Sequence, residues 1–441
     1  MTDTPPAPTA PRPAGEELAE LDRRHLLHPW TPYGVGDQLV LVEGSGVEVT
    51  DAHGNTYLDG RSGQFNATLG YSHPRVVAAL TEQAGKLMTY ALLGSSNEPA
   101  VRLAARLAEL LGEPDGRTLF CNSGSEATEA AIRIVRMYHA LRGQPQRTTV
   151  LSLADSYHGT TLAAAAMSGS PLAWTGCGPL PEGFVRVPTP GSTVRDRGEV
   201  RPGAEALEEA ILAQGAENVA AFFVEPVLGV GGIRPLPAGY LRAVREICDR
   251  HGVLLVVDEV TTGFGRTGEW FAHRREGIRP DLLTLGKGLA AGYVPFAAVT
   301  TTAEIAEAFA ADPMLGGLRH GHTTSGHALG AAVSLAVLET IEEEGLIEHA
   351  AAMGERLCGG LTDRLKDLEG VSDVRGVGLF AGIEFDTFDR ATQVMLGCLR
   401  AGVIVRSEGP VLAVAPPLIV NAAQIDRIVD TLHRATTAAT G

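Results

Sequence analysis

Lys287 stands in the stretch Asp281-Leu-Leu-Thr-Leu-Gly-Lys287-Gly-Leu-Ala-Ala-Gly292, at the end of an apolar run and among glycines. Such surroundings disfavour the ammonium form and lower the pKa of the amine, as a lysine that reacts as a nucleophile requires. Taken alone, the segment equally suits a surface lysine in a turn after a strand, since lysine is mostly exposed. Its companions decide. Upstream, Gly252-Val-Leu-Leu-Val-Val-Asp258-Glu259-Val260 is an apolar run that ends in two carboxylates. The spacing from Asp258 to Lys287 leaves room for one crossover and another strand. Ligands of parallel α/β sheets sit at the carboxyl ends of strands, so the two residues should meet there. Further upstream, Thr118-Leu-Phe-Cys-Asn-Ser123-Gly124-Ser125-Glu126-Ala127 reads as a short strand running into small residues and then an alanine-rich helix. The free N–H groups and positive end of that helix favour an anion, and the serines add hydroxyl donors without bulk. By itself this is also an ordinary helix cap.

A reactive amine, a carboxylate and an anion seat together form the set that pyridoxal 5′-phosphate (PLP) needs. The amine holds the aldehyde, the carboxylate keeps the pyridine nitrogen protonated so that the ring acts as an electron sink, and the seat takes the phosphate. With these motifs in view the chain resembles the class III aminotransferases, close to the omega-transaminases and diaminopelargonic acid synthases, over roughly residues 25 to 435. Ser156-Tyr157-His158-Gly159, Val224-Glu225-Pro226, Asp258-Glu-Val-Thr-Thr-Gly-Phe-Gly-Arg-Thr-Gly268 and His320-Gly-His-Thr323 carry the resemblance beside those quoted above. It implies an α/β fold of PLP fold type I, aspartate-aminotransferase-like, with a mostly parallel sheet in a large domain and a smaller α+β domain.

Position by position, the resemblance makes Lys287 the cofactor-holding lysine and Asp258 the partner of the pyridine nitrogen. Ser123, Gly124 and Ser125 match the phosphate cup, Tyr157 the aromatic over the ring with His158 and Gly159 beside it, and Val260 the opposite ring face. Glu225 matches a glutamate near the ring edge. Thr323 matches a phosphate-binding threonine that the partner subunit of a homodimer supplies. Arg406 matches an arginine that receives a substrate carboxylate, a task that suits the planar guanidinium fork. Phe65, Leu92 and Leu93 fall at substrate positions where relatives often carry larger aromatics, and Thr261 stands where many carry glutamine. Those departures leave the chemistry intact and the substrate open.

The elements that must position these residues follow from the pattern. A chain of 441 residues, 44% hydrophobic and 20% charged, can bury one or two sizeable cores. Its net charge of −16 speaks against nucleic acid or an anionic membrane as partner. Five scattered cysteines without a CxxC pair argue for a reducing cytoplasm and against structural zinc. The proline-rich residues 1–16 read as a disordered tail. Residues 17–75 are expected to open the small domain, 76–319 to form the large PLP-binding domain and 320–441 to complete the small one. Gly46 to Asp59 reads as two short strands around a Gly-Asn turn, and strands and helices alternate from Thr118 to Thr300. Ala220-Ala-Phe-Phe-Val224 and Val253-Leu-Leu-Val-Val257 are apolar without alternation, as in strands covered on both faces. Thr175 to Gly203 reads as a long loop near the cofactor mouth, and the last third as strands near Val377–Phe385 and Val403–Val414 with a closing helix. His320, His322 and His327 lack acidic or cysteine companions, so no metal is expected.

The expected activity is ping-pong transfer of an amino group from an amine or omega-amino donor to a carbonyl or keto-acid acceptor. Racemisation, amine migration and decarboxylating transamination share the scaffold and remain alternatives; a non-catalytic interaction protein fits the intact residue set less well.

Overall fold

The computed structural model describes residues 15–33, 38–191 and 203–440. Its centre is a seven-stranded sheet in the order Arg117–Cys121, Ala297–Thr301, Leu282–Leu285, Leu254–Asp258, Val219–Val224, Thr149–Leu153 and Phe184–Val187. The unbroken apolar runs form its middle because both faces are covered. Phe223 and Val256 pack with Ala127, Ala131, Ile134 and Val135 of the helix Gly124–Leu141. Phe222, Val224, Leu255 and Val257 face the other way, against Leu207 and Ile211 of Glu205–Gln214 and Leu241, Val244 and Ile247 of Tyr240–His251. Each such large apolar side chain contributes roughly 1.5–3 kcal/mol by leaving water.

The sheet is mostly parallel with one exception. Ala297–Thr301 runs antiparallel to both of its neighbours. The connection from Leu285 to Ala297 holds only the short turn Lys287–Leu289 and a loop, too little chain for the crossover that a parallel return needs. All other strands point the same way, so their carboxyl ends share one edge of the sheet.

Three antiparallel N-terminal strands, Leu41–Ser45, Glu48–Asp51 and Thr56–Asp59, are joined in parallel by the late strand Val403–Ile404. The turn between the second and third contains Gly54, whose φ of 85° is glycine's territory. A further antiparallel sheet runs Val371–Gly376, Ala381–Phe385, Val411–Val414, Arg406–Glu408. Arg266 ties these distant parts together. Its fully buried guanidinium donates to the carbonyls of Leu379 (2.9 Å) and Pro416 (2.6 Å) and to Ser62 Oγ (3.2 Å), and burial pushes its pKa down to about 10.

Several expectations are corrected. The stretch from Thr175 to Gly203 is not one loop: Gly183 leads into Phe184–Val187, which adds to the sheet edge beside Thr149–Leu153, and flanking prolines and glycines hide so short a strand. Residues 192–202 lie outside the described residues, and none of the described remainder lines the lysine cavity. The expected tail also lies outside them, except Gly15 and Glu16, which open a helix Gly15–His25 with no buried residue. Strand Leu41–Ser45 escapes the sequence pattern because its positions are mostly exposed. Val403 to Val414 divides into three strands, and the strand expected from Val377 starts at Ala381.

Candidate active site

Five strands of the shared sheet edge bring the expected residues to one place. Ser123 and Gly124 follow strand Arg117–Cys121, Tyr157 and His158 follow Thr149–Leu153, and Glu225 follows Val219–Val224. Asp258 ends its strand, and Lys287 comes two residues after Leu285. Together they line a cavity of about 280 Å³. The reversed strand delivers Pro295 and Phe296 to the same rim from its other end.

At one side of the cavity Ser123 caps the helix Gly124–Leu141, accepting the Glu126 N–H at 3.2 Å. Ser125 Oγ accepts the Thr160 N–H at 3.1 Å. Each hydroxyl keeps its own proton for an anion, and the helix end adds its positive pole. The glycines are steric necessities. A Cβ on Gly124 would meet Val260 Cγ1 at 3.0 Å, and one on Gly159, at φ 127°, would meet Ser125 Oγ at 2.5 Å.

Asp258 is buried, with Oδ1 accepting the Val260 N–H at 3.0 Å and Oδ2 2.7 Å from His158 Nδ1. Burial works against a charged His158, but the hydrogen bond and charge of Asp258 prevail and raise its pKa. Glu225 accepts the Tyr157 N–H at 2.8 Å and the Gly229 N–H at 3.0 Å, yet burial pushes its carboxyl up to about 7.

Lys287 sits between these carboxylates at φ 40°, a left-handed conformation that costs a non-glycine residue of order 1 kcal/mol or more. Burial brings its ammonium down to about 8, against the pull of Asp258 and Glu225. Nζ donates to Thr261 Oγ1 at 2.5 Å, so Thr261 holds the amine itself, a contact its reading as a departure from glutamine did not suggest. Phe65, also left-handed at φ 62°, packs edge-on to Phe380. Lys287 Nζ lies 5.7 Å and Arg406 Cζ 5.1 Å from its ring centroid.

Five sequence-expected residues, Phe65 among them, do not line this cavity. Arg406 is engaged next to it: Nη1 donates to Gln64 Oε1 at 2.5 Å and Nη2 pairs with Glu408. Thr323 is exposed. Leu92 packs where a side chain on Gly326 would stand, and Leu93 is 95% exposed. Sequence reasoning passed over Gln64 and Glu408. The signal for Glu408 was its place two residues after Arg406 on an expected strand, which puts both on one face. His327 caps the helix Ala328–Glu343, and the rings of His320 and His322 meet edge to face.

A depressed lysine between carboxylates, beside an anion seat, can form a covalent bond to a carbonyl and carry a proton afterwards. Comparison with known proteins supplies context. A family model described as aminotransferase class-III matches residues 33–436. The chain is 38% identical to the probable aminotransferase Rv3329 of Mycobacterium tuberculosis, over 99% of this chain and 97% of that one. It is 35% identical to the adenosylmethionine-8-amino-7-oxononanoate aminotransferase of Geobacter sulfurreducens, over 97% and 98%. The crystal structure of the omega transaminase from Pseudomonas jessenii in complex with PMP superposes with a TM-score of 0.91 at 34% identity, covering 96% of this chain and 98% of that one.

Proposed function

Because the chain belongs to the class III aminotransferases, PLP-dependent enzymes of fold type I, we propose that the cavity around Lys287 is where it exchanges an amino group between an amine donor and a keto-acid acceptor. The observation that carries the reading is the convergence of Lys287, Asp258 and the capped end of helix Gly124–Leu141 on one cavity. This donor set suits the cofactor: an amine for its aldehyde, a buried carboxylate for its pyridine nitrogen, and serine hydroxyls with helix N–H groups for its phosphate. When bound, PLP supplies an aldehyde carbon that takes up the amino group and a ring that accepts the electron pair released at the substrate carbon.

The chain's own residues do the rest. Ser123, Gly124 and Ser125 hold the phosphate, and Gly159 keeps that wall low enough for it. Tyr157 and Val260 bound the ring faces, with Glu225 at the ring edge. Asp258 holds a proton on the pyridine nitrogen, and His158 and the Val260 N–H fix the orientation of its carboxylate. Lys287 anchors the cofactor, and its freed Nζ then moves a proton between substrate and cofactor carbons, for which an amine near pKa 8 is suited. Thr261 keeps Nζ from wandering. Arg406 reads the acceptor's carboxylate, and Phe65 shapes the floor beside it.

We also read the protein as a cytoplasmic homodimer with two composite sites. The exposure of Thr323 and Leu93 on their own chain supports this, as both are free to complete the cavity of a second copy. No helix among the described residues is long and apolar enough to cross a membrane.

Incubation of the holoenzyme with an amine and pyruvate tests the reaction class: transamination yields alanine, whereas racemisation, amine migration or simple decarboxylation does not. The Asp258→Asn protein separates the roles, since it should keep the cofactor and lose the proton-transfer half-reaction. An unchanged single-turnover rate would reject the part given to Asp258.

A further inference from the structure

Arg406 and Glu408 occupy alternate positions of the strand Arg406–Glu408, opposite Ala413 and Val411, so both side chains leave the same face. They form an ion pair with only 22% and 11% of their side chains exposed. The pair stands beside the Phe65 ring that Lys287 also approaches, and Glu408 feels the charges of both Arg406 and Lys287. A fixed carboxylate therefore sits where a substrate held at Lys287 extends its far end.

The two members of the pair differ in what remains when a substrate parts them. Arg406 keeps the Gln64 carbonyl and the face of Phe65. Glu408 has Arg406 as its polar partner among the described residues, and burial already raises its pKa despite that arginine. A substrate carboxylate that takes Arg406 strands a part-buried anion. A substrate cation that takes Glu408 replaces one cation by another and leaves Arg406 supported.

Resting on the reading of this cavity as the amino-transfer site, we propose that Glu408 sets the charge of the accepted donor, favouring amines with a second cationic group at the far end, such as alkane diamines, over amines ending in a carboxylate. Keto-acid acceptors then reach Arg406 only by displacing Glu408, so acceptor binding is weaker than an unpaired arginine would give.

The test compares butane diamine, butylamine and γ-aminobutyrate as donors to the holoenzyme and to its Glu408→Gln and Glu408→Asp variants. Conversion of the cofactor to its amine form is followed in single turnovers, and affinity for each amine is measured by calorimetry. The wild-type protein should prefer the diamine. In Glu408→Gln the diamine-to-monoamine ratio of kcat/KM should fall at least about tenfold, the loss expected for one charge-assisted hydrogen bond, and the ratio of diamine to γ-aminobutyrate should fall further. Glu408→Asp, which keeps the charge and shortens the reach, should lie between. If diamine and monoamine change together, or the wild type prefers γ-aminobutyrate, Glu408 merely braces Arg406 and the proposal is overturned. A protein that converts no amine at all refutes the amino-transfer reading, and the calorimetric diamine-to-monoamine ratio of wild type against Glu408→Gln still decides whether Glu408 reads the distal cation.

Discussion

The lowered basicity of Lys287 can be tested without any substrate. The chain has three lysines, Lys86, Lys287 and Lys366, so two internal references accompany the reactive one. With its ammonium near 8 where an ordinary lysine has 10.5, about a quarter of Lys287 is neutral at pH 7.5, against about a thousandth of a normal lysine, roughly a two-hundredfold difference. Only the neutral amine attacks an acylating agent. Apoprotein treated with trace acetic anhydride across a pH series, then digested and quantified peptide by peptide, should show Lys287 labelling level off just above pH 8. Lys86, whose side chain is 63% exposed, supplies the comparison profile in the same digest. The midpoint is the decisive reading, because absolute rates also reflect access to the cavity. Thr261→Val offers a control: the hydroxyl that receives the Nζ proton is lost, while the burial that lowers the pKa remains, so the midpoint should stay below 9. A Lys287 profile parallel to that of Lys86 would refute the claim that burial outweighs Asp258 and Glu225.

Glu225 gives a stability signature of the same origin, burial, with its pKa moved in the other direction. Its carboxyl is raised from 4.5 to about 7 in the fold, so between those values the folded protein binds more protons than the unfolded one and loses stability as pH rises. Glu225→Gln removes that fall; the variant-minus-wild-type difference in unfolding free energy should climb by up to about 3 kcal/mol from pH 4.5 to 7 in urea titrations, and a flat difference would contradict the shift. Gly159→Ala should weaken cofactor retention at least about tenfold in dialysis, since its Cβ would press on Ser125 at a φ alanine avoids; unimpaired retention would remove Ser125 from the seat. Lys287→Ala and Thr323→Ala proteins should each be nearly inactive alone. Mixed under conditions of subunit exchange, they should regain activity through heterodimers with one intact site, and an active monomer in sedimentation would rule out the composite site.

What the sequence revealed and what it hid divide along physical lines. Apolar runs such as Ala220–Val224 announce buried strands, and the residues directly after them fall at the ligand edge by the rule of parallel sheets. Lys287, Asp258 and Ser123 were legible in that way, whereas Glu225 and Tyr157 were found through the resemblance to the class III aminotransferases. The direction of Ala297–Thr301 was not, because a strand's composition says nothing of its sense and only the shortness of the preceding link does. Phe184–Val187 was too brief to stand out from its prolines and glycines. Side-chain partnerships across long sequence distances were hidden too. Nothing near Arg406 in the chain points to Gln64, and Thr261 looked like a lost contact until the left-handed turn at Lys287 aimed the amine at it.

The burial of Arg266 bears on how the chain is made. Its acceptors come from Ser62, Leu379 and Pro416, so as synthesis proceeds the arginine emerges long before two of the three. A cation without partners in an apolar interior costs several kcal/mol. The segment after Asp258 therefore cannot settle into its final place on the ribosome until nearly the whole chain has been released. The catalytic edge, although its pieces lie in the middle of the sequence, is thus completed last, and a protein truncated before Pro416 carries every reactive residue named above without the means to hold them together.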